Sequence, residues 1–265
     1  MQPLDKATVM VTGASKGIGL AIAKEFAAHG HDLVLVARGE ETLRRVAESI
    51  KAEFGVDVTT LSIDLSESGS PQQLYDRLQQ LGMPIDILVN NAGVGMSGVF
   101  REGDYSKLSR MLQLNMLALS QLTHLFLPQM LIRKRGRILN IGSLVAYFKG
   151  GPNWAAYVAS KHYVRALSNG LSKELKGSGV AVTLISPGAT ATDFVKSADT
   201  GDMLAYQVPI GPSAEQIARL AYHACQAGKR SVIPGIFNKI LAFLGELHPR
   251  IIAFEVFCFL SSKKG

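Results

Sequence analysis

The feature that most constrains the fold of this chain is a regular alternation of short apolar segments with longer segments of helical periodicity. Such alternation is typical of β-α-β units, which form parallel sheets with helices on both faces. The predicted strands span residues 8–12, 32–37, 56–64, 85–90, 136–143, 180–186 and 231–234, and the predicted helices span residues 17–29, 40–54, 71–81, 105–133, 154–176 and 213–227. Because crossovers are right-handed, we expect an α/β fold, a Rossmann-like doubly wound parallel sheet of about seven strands.

Length and composition favour one globular domain over two small ones. The chain has 265 residues, of which 47% are hydrophobic and 18% charged, and it contains no repeat, low-complexity tract or evident linker. A chain of this size can bury a large core. We therefore predict one domain over residues 1–235, followed by an apolar C-terminal extension over residues 236–265.

Several function classes are disfavoured by the sequence. No apolar stretch follows a basic start at the N-terminus, and no uncharged apolar run reaches the roughly 18 to 20 residues of a membrane-spanning helix. Cys225 and Cys258 lie far apart without metal or redox spacing, so we expect a reducing, cytoplasmic environment and no metal site. The net charge is +7, but no basic block is interleaved with aromatic residues. Nucleic acid is therefore not the expected partner, and an anionic cofactor or membrane lipid explains the charge equally well.

A glycine-rich loop stands between the first predicted strand and the first predicted helix, with the sequence Thr12-Gly-Ala-Ser-Lys-Gly-Ile-Gly19. Glycines permit a tight turn and close backbone approach, so that a pyrophosphate can lie on the helix N-terminus, where N–H groups and the dipole favour negative charge. The candidate cofactor-binding residues of this loop are Gly13, Ser15, Lys16, Gly17, Ile18 and Gly19.

The end of the second predicted strand favours NADP(H) over NAD(H). Many NAD enzymes carry an acidic residue there to bind the adenosine ribose, whereas this chain has Ala37 followed by Arg38. Arg38 and Lys16 could flank a 2′-phosphate through charge-assisted hydrogen bonds. Alternatively, both cations are solvated surface side chains.

The chemical signal with the clearest geometry is Tyr157-Val-Ala-Ser-Lys161. Residues four apart on a helix share one face, so the phenol and the ammonium point the same way. A phenol normally titrates near pH 10, and a nearby cation lowers that pKa toward the range useful for general acid-base chemistry. A Tyr-x-x-x-Lys pair alone is usually ordinary helix surface, so its context decides.

Taken together, these motifs resemble the short-chain dehydrogenase/reductase family. The resemblance rests on the Gly-x-x-x-Gly-x-Gly spacing, on Asn90-Asn-Ala-Gly93, on Tyr157 with Lys161, and on Pro187-Gly188, in that order over about residues 8–192. It implies that Ser143, at the end of the fifth predicted strand, hydrogen-bonds the substrate oxygen. It also implies that Asn115 completes a proton relay to Lys161, although a satisfied core asparagine is the alternative from the residues alone.

The same resemblance assigns further cofactor contacts. Asp64 and Leu65 would border the adenine ring, and Tyr157 and Lys161 would contact the cofactor beside the substrate. The segment Asn91, Ala92 and Gly93 would approach the adenosine side, and the positions that would hold the nicotinamide carboxamide and phosphates are Pro187, Gly188, Thr190 and Thr192. Most family members have an aliphatic residue where this chain has Thr190, which is a mild departure because main chain makes most of that contact.

The function implied is that of an NADP(H)-dependent oxidoreductase, and specifically a ketoreductase. The predicted pocket is apolar and favours a hydrophobic ketone or 3-oxoacyl substrate; its residues are Val94, Met96, Val145, Phe148, Trp154, Phe194 and Met203. The alternative function is a non-catalytic, NADP-sensing regulatory protein of the same fold, although such proteins typically lack the tyrosine or the lysine. Family resemblance also implies a homodimer or homotetramer.

The C-terminal extension is unusually rich in Phe, Ile and Leu, and such a density of apolar side chains requires a covering surface. Three possibilities remain open from the sequence. The extension packs on the body or on a second subunit, forms a lid over an apolar substrate, or lies on a membrane surface as an interfacial helix. From residue 229 onward the chain carries six basic and two acidic residues, which would favour contact with anionic lipid.

Overall fold

The computed structural model describes residues 3–189 and 211–246. Within these ranges seven strands form one sheet in the order β3-β2-β1-β4-β5-β6-β7, and every neighbouring pair is parallel. The strands are β1 (Thr8–Thr12), β2 (Asp32–Ala37), β3 (Val58–Ser62), β4 (Ile87–Asn90), β5 (Gly136–Ile141), β6 (Val180–Ile185) and β7 (Ser231–Val232). This topology confirms the predicted doubly wound, Rossmann-like fold.

Helices cover both faces of the sheet, as predicted. In the described ranges they are α1 (Gly17–Ala28), α2 (Glu40–Phe54), α3 (Ser70–Gln80), α4 (Tyr105–Leu112), α5 (Leu119–Ile132), α6 (Ala155–Glu174), α7 (Ala214–Gln226) and α8 (Ile236–Glu246). Apolar side chains of α1, α2 and α7 form the core on one face, and those of α3, α5 and α6 form it on the other. Strands sandwiched in this way are apolar on both sides, which explains the continuous hydrophobic runs in the sequence.

Five predicted strands are longer than the observed ones, and the local structure explains two of these differences. The predicted strand 56–64 shortens to β3, because β3 pairs with β2 residue for residue, from Leu33 opposite Val58 to Ala37 opposite Ser62. The predicted strand 136–143 ends at Ile141. Gly142 still donates a backbone hydrogen bond to Ile185, but Ser143 then begins a 3₁₀ turn, Leu144–Tyr147, whose Val145 N–H it accepts.

The predicted helix 105–133 is observed as α4 and α5 joined by a π-helical turn, Gln113–Ala118. A π turn inserts an extra residue into a helix and is often found at functional sites. Here it contains Asn115, one of the predicted site residues. The sequence pattern of apolar residues does not reveal the turn, because the apolar periodicity continues through it.

A chain of buried polar side chains fixes α5 and α6 against the middle of the sheet. Asn90 on β4 donates to Thr123 on α5 at 3.1 Å and to Asn140 on β5 at 3.0 Å. Asn140 in turn donates to Ser168 on α6 at 2.9 Å. A buried polar group left without a partner costs about 1–3 kcal/mol, so these bonds define the register of both helices on the sheet.

Helix α8 is the described part of the C-terminal extension, and it packs on the body. Ala242 is buried against Leu144, Ala146 and Tyr147, and Glu246 pairs with Arg165 on α6. The opposite face of α8 presents five exposed large apolar side chains, which are Ile236, Phe237, Ile240, Phe243 and Leu244. None of the helices in residues 3–189 and 211–246 has the length and hydropathy needed to cross a bilayer.

Candidate active site

The loops that follow the carboxyl ends of the strands enclose a cleft of about 420 Å³. It lies where the strand order reverses, between β1 and β4, which is the usual ligand site in open parallel sheets. The predicted site residues that line it are Gly13, Ser15, Lys16, Gly17, Ile18, Gly19, Arg38, Asp64, Leu65, Asn91, Ala92, Gly93, Ser143, Tyr157, Lys161, Pro187 and Gly188. Asn115 lies behind the cleft, and Thr190, Thr192, Phe194 and Met203 fall outside the described residues.

Sequence reasoning missed several residues of the lining. They include Val36, Gly39, Ile63, Leu114, Ile141 and Gly142, most of which are immediate neighbours of predicted positions. The signal that could have identified them is position rather than chemistry, because each of the strand residues stands at or beside the carboxyl end of a strand. Leu114 is different, since it reaches the cleft from the π-helical turn.

The glycine loop has the shape expected of an anion-binding loop. Gly13 and Gly17 have φ angles of +67° and +58°, which favour glycine. A Cβ at Gly19 would lie 2.3 Å from the Gly13 carbonyl oxygen and 2.4 Å from the Asn91 amide nitrogen, so α1 starts in direct contact with the loop. No side chain caps α1 and no acidic residue stands in its first turn, which leaves its N-terminal N–H groups available for a pyrophosphate. The residues present therefore fit a dinucleotide.

At the other end of the cleft, Arg38 and Asp64 follow β2 and β3, two strands that pair with one another. Partial burial favours the protonated carboxyl, but hydrogen bonds from Ser66 and the charges of Arg38 and Arg110 outweigh it and lower the pKa of Asp64. Arg110 on α4 forms an ion pair with Asp64 at 2.8 Å. Asp64 is thus held ionised and fixed in orientation, while Arg38 supplies positive charge to the cleft.

Helix α6 brings Tyr157 and Lys161 into the cleft from one face, as their spacing predicts. Both are buried, with exposures of 4% and 7%. The Lys161 ammonium lies 5.9 Å from the centroid of the Tyr157 ring and donates to the Ile141 carbonyl oxygen at 3.2 Å. Burial lowers the pKa of Lys161 from its usual 10.5 to about 8. A buried cation with one neutral partner is expensive, and an anion beside it would be strongly favoured.

Asn115 is both a satisfied core asparagine and a neighbour of Lys161. Its amide donates to the Val94 carbonyl oxygen at 2.9 Å and to the Ser160 hydroxyl at 3.2 Å, and its oxygen accepts the Val94 N–H at 3.0 Å. A Cβ at Gly93 would lie 3.2 Å from the Asn115 oxygen and 3.6 Å from the Lys161 ammonium. The two polar groups therefore both lie close to Gly93, where an added Cβ would crowd the Asn115 oxygen.

The side chains packed around Tyr157 are apolar. Tyr157 belongs to a cluster with Leu108, Met111, Trp154 and Val158, and the predicted pocket residues that pack against this cluster are Val94, Met96, Val145 and Phe148. The Trp154 ring packs edge-on against Tyr157, with centroids 5.2 Å apart. Among the described residues, no group of three or more His, Cys, Asp or Glu side chains is arranged to hold a metal ion. This arrangement can position a reactive oxygen beside a phenol in a poorly hydrated pocket.

Comparison with known proteins identifies a matching family model, similar sequences and a similar solved structure. The family model for short chain dehydrogenases matches residues 7–202. A 3-oxoacyl-acyl-carrier-protein reductase of Aquifex aeolicus is 30% identical over 220 residues, which are 82% of this chain and 88% of that protein. The very-long-chain 3-oxoacyl-CoA reductase of Anas platyrhynchos is 36% identical over 196 residues, covering 72% of this chain and 62% of that one. The solved short-chain dehydrogenase from Sphingobium yanoikuyae in complex with NADPH has a TM-score of 0.80 and 31% identity, covering 92% of this chain and 97% of that one.

The buried ammonium of Lys161 yields a prediction about stability. Below about pH 8 the lysine is protonated in both folded and unfolded chains, so the folded protein bears the full cost of burying the charge. Lys161→Met removes that cost, and we expect it to raise the free energy of unfolding of the cofactor-free protein at pH 7 by about 1–3 kcal/mol. Between about pH 8 and 10.5 the folded wild type releases the proton while the unfolded chain retains it, so the advantage of the variant should fade.

Urea denaturation at pH 7 and pH 10.5 measures both effects. The matched control is Lys173→Met, which makes the same change at an exposed position on α6 and should leave the free energy of unfolding nearly unchanged. The prediction is wrong if the Lys161→Met protein is no more stable than the wild type at pH 7. It is also wrong if the gain in free energy of unfolding is the same at pH 7 and pH 10.5, because the burial of the charged ammonium would then not be its cause.

Proposed function

The chain belongs to the short-chain dehydrogenase/reductase family of oxidoreductases, which act on CH–OH and C=O groups, and from this premise we propose that it is an NADP(H)-dependent ketoreductase. Its substrate in this proposal is a hydrophobic ketone or a 3-oxoacyl compound. The observation that carries the proposal is one cleft in which a glycine loop, a buried Tyr157–Lys161 pair and an apolar wall meet.

The catalytic roles follow from where the side chains lie. When bound, the nicotinamide cofactor supplies hydride to the carbonyl carbon. Tyr157 donates its phenolic proton to the carbonyl oxygen, and Ser143, which lines the same cleft, orients that oxygen through its hydroxyl. The Lys161 cation stabilises the phenolate that remains. Asn115 holds the Val94 backbone and stands beside Lys161, and so positions the route by which the phenolate regains a proton.

Support for a hydrophobic substrate comes from the site and from the relatives. The side chains beside Tyr157 are Trp154, Met96, Val94 and Phe148, and they offer a non-polar wall to a substrate carbonyl at the phenol. Two of the similar proteins are named as 3-oxoacyl reductases. A binding module that senses NADP is the alternative, and the presence of Ser143, Tyr157, Lys161 and Asn115 together argues against it.

Support for NADP(H) comes from the charge at the adenosine end. The cleft contains Arg38 and Lys16, and position 37, where an acidic residue would bind a ribose hydroxyl, is alanine. Asp64 is the acidic residue of the described lining, and its ion pair with Arg110 offsets its charge. A similar solved dehydrogenase is in complex with NADPH.

A screen of NADPH consumption tests the proposed reaction. We expect turnover with hydrophobic carbonyl compounds among 3-oxoacyl thioesters, steroids, quinones and aryl ketones.

Tyr157→Phe should lower kcat by about 10²- to 10⁴-fold, because the proton donor is lost, while NADPH still binds. Tyr163→Phe makes the same change on α6 at a hydroxyl bonded to Ser120 and should leave kcat nearly unchanged. Binding of NADPH without turnover of any carbonyl compound would support the sensor instead.

The ratio of kcat/KM for NADPH to that for NADH tests the cofactor. We expect the wild type to prefer NADPH, and Arg38→Ala to reduce the ratio by about 10- to 100-fold, because one or two charge-assisted hydrogen bonds to the 2′-phosphate are lost. Arg45→Ala removes an exposed arginine of α2 outside the cleft and serves as the control. A wild-type preference for NADH would refute this part of the proposal.

We further propose that the protein works in the cytoplasm as a homodimer or homotetramer. We also propose that α8 lets it associate with an anionic membrane surface. The outer face of α8 presents apolar side chains at positions 236, 237, 240, 243 and 244, which form one stripe at helical spacing. The exposed Lys239 lies on the same helix, and the chain is strongly basic from residue 229 onward. Apolar area combined with basic charge is the chemistry that binds helices to anionic lipid.

Flotation with vesicles of phosphatidylcholine and phosphatidylserine tests the membrane contact. We expect the wild type to float with these vesicles at low salt, and the double variant Ile240→Ser with Phe243→Ser to float much less. Ile132→Ser, which alters an exposed apolar residue of α5, is the control and should float as the wild type does. If the double variant floats normally but changes its mass in light scattering, the face is a contact between subunits and the membrane proposal is wrong.

A further inference from the structure

Helix α8 also has an inner face, which contacts the loop after β6. Asn238, in the first turn of α8, is buried with an exposure of 5%. Its amide nitrogen donates to the Pro234 carbonyl oxygen at 2.7 Å, which fixes the side chain against the start of its own helix. None of the motifs that identify the family includes this position, and its place in the sequence lies beyond the matched region 7–202.

The carboxamide of Asn238 lies directly on Gly188. A Cβ built on Gly188 would be 2.6 Å from the Asn238 side-chain oxygen, 2.7 Å from its nitrogen and 2.8 Å from its Cγ. These are the three atoms nearest to that Cβ, so the Asn238 carboxamide makes the closest contact. The φ angle of Gly188 is not in the positive region, and the space beside it is therefore what excludes a larger residue.

The loop that Asn238 contacts belongs to the cleft and is tied to the loop that carries Ser143. Pro187 and Gly188 both line the cleft, and the Pro187 carbonyl oxygen accepts the Leu144 N–H at 2.7 Å. A Cβ built on Gly211 would lie 2.5 Å from the Ala189 carbonyl oxygen and 3.9 Å from the Asn238 amide nitrogen, so Gly211 lies near the same side chain. The Asn238 side chain therefore packs on a loop that lines the cleft and is bonded to the segment after Ser143.

We propose that Asn238 is a positioning residue that holds the Pro187–Gly188 loop in the conformation that receives the nicotinamide end of the cofactor. The inference rests on the proposed NADP(H)-dependent function and adds to it a determinant outside the catalytic residues. Asn238 acts by occupying the space behind Gly188 with a flat, hydrogen-bonded carboxamide. Its removal takes away the side chain packed behind Gly188, and a Cβ on Gly188 pushes the loop toward the cleft.

A double-substitution experiment separates this role from a general contribution to stability. We expect Gly188→Ala to weaken NADPH binding by tenfold or more and Asn238→Ala to weaken it by about three- to tenfold, as measured by NADPH fluorescence with the purified full chain. In the double variant, the alanine at 238 makes room for the Cβ at 188. The Kd for NADPH of the double variant should then lie within about threefold of the Asn238→Ala value. It should not rise by the product of the two single effects.

Thermal unfolding of the cofactor-free proteins provides the second readout. Leu241→Ala removes an α8 side chain that packs with the Tyr147 cluster, so it should lower Tm comparably to Asn238→Ala while NADPH binding stays unchanged. Losses of binding that multiply in the double variant, or coupling seen in Tm but not in the Kd for NADPH, would overturn the positioning role. A folded wild type that binds no NADPH would instead overturn the proposed function, and this inference with it.

Discussion

The hydroxyl of Thr12 and the amide of Asn91 join the two loops on which the whole site is built. Thr12 ends β1 and accepts the N–H groups of Asn91 and Ala92, each at 3.0 Å, while it donates to the Val89 carbonyl oxygen. Asn91 returns the contact by donating to the carbonyl oxygens of Thr12 and Gly13 at 2.9 and 3.2 Å. The chain connections run in opposite directions from β1 and β4, which leaves a crevice between the loops that follow these strands. The bonds between Thr12 and Asn91 hold these two loops at a fixed distance from one another. The glycine loop, α1 and the approach to Gly93 all take their positions from this junction.

A second constraint is the burial of Lys161, which lowers the stability of the folded protein but places a cation beside Tyr157. The ammonium has the Ile141 carbonyl as its hydrogen-bond acceptor and the Tyr157 ring as a neighbour, and burial depresses its pKa to about 8. The surrounding structure keeps it in place through α6, whose Ser168 is bonded to Asn140 in the sheet. A cation held in this way is preorganised to stabilise an anion that forms beside it, and in the proposed reaction that anion is the Tyr157 phenolate.

The parts of the molecule that depend on local sequence could be predicted, and the parts that depend on distant contacts could not. Strand and helix positions follow from periodicity, and the shared face of Tyr157 and Lys161 follows from their spacing. By contrast, the pairing of Asp64 with Arg110 joins residues 46 positions apart, and the bonds of Asn115 to Val94 and Ser160 depend on a π-helical turn that the apolar pattern does not show. Asn238 carries no local signal at all, since only the packing of α8 brings it to Gly188.

The two ends of the cleft differ in how far the local sequence specifies them. The cofactor end is formed by backbone at strand ends, where glycines and helix N-termini present the same groups whatever the surrounding side chains are, and short motifs are enough to specify it. The proposed substrate end is assembled from side chains of α4, α6 and the 3₁₀ turn after Ser143, and α8 supports that turn from outside through Ala242 and Gly245. Its shape is set by packing among segments far apart in the sequence. Substitutions at Ala242 and Gly245 can therefore alter the proposed substrate end while the cofactor motifs stay intact.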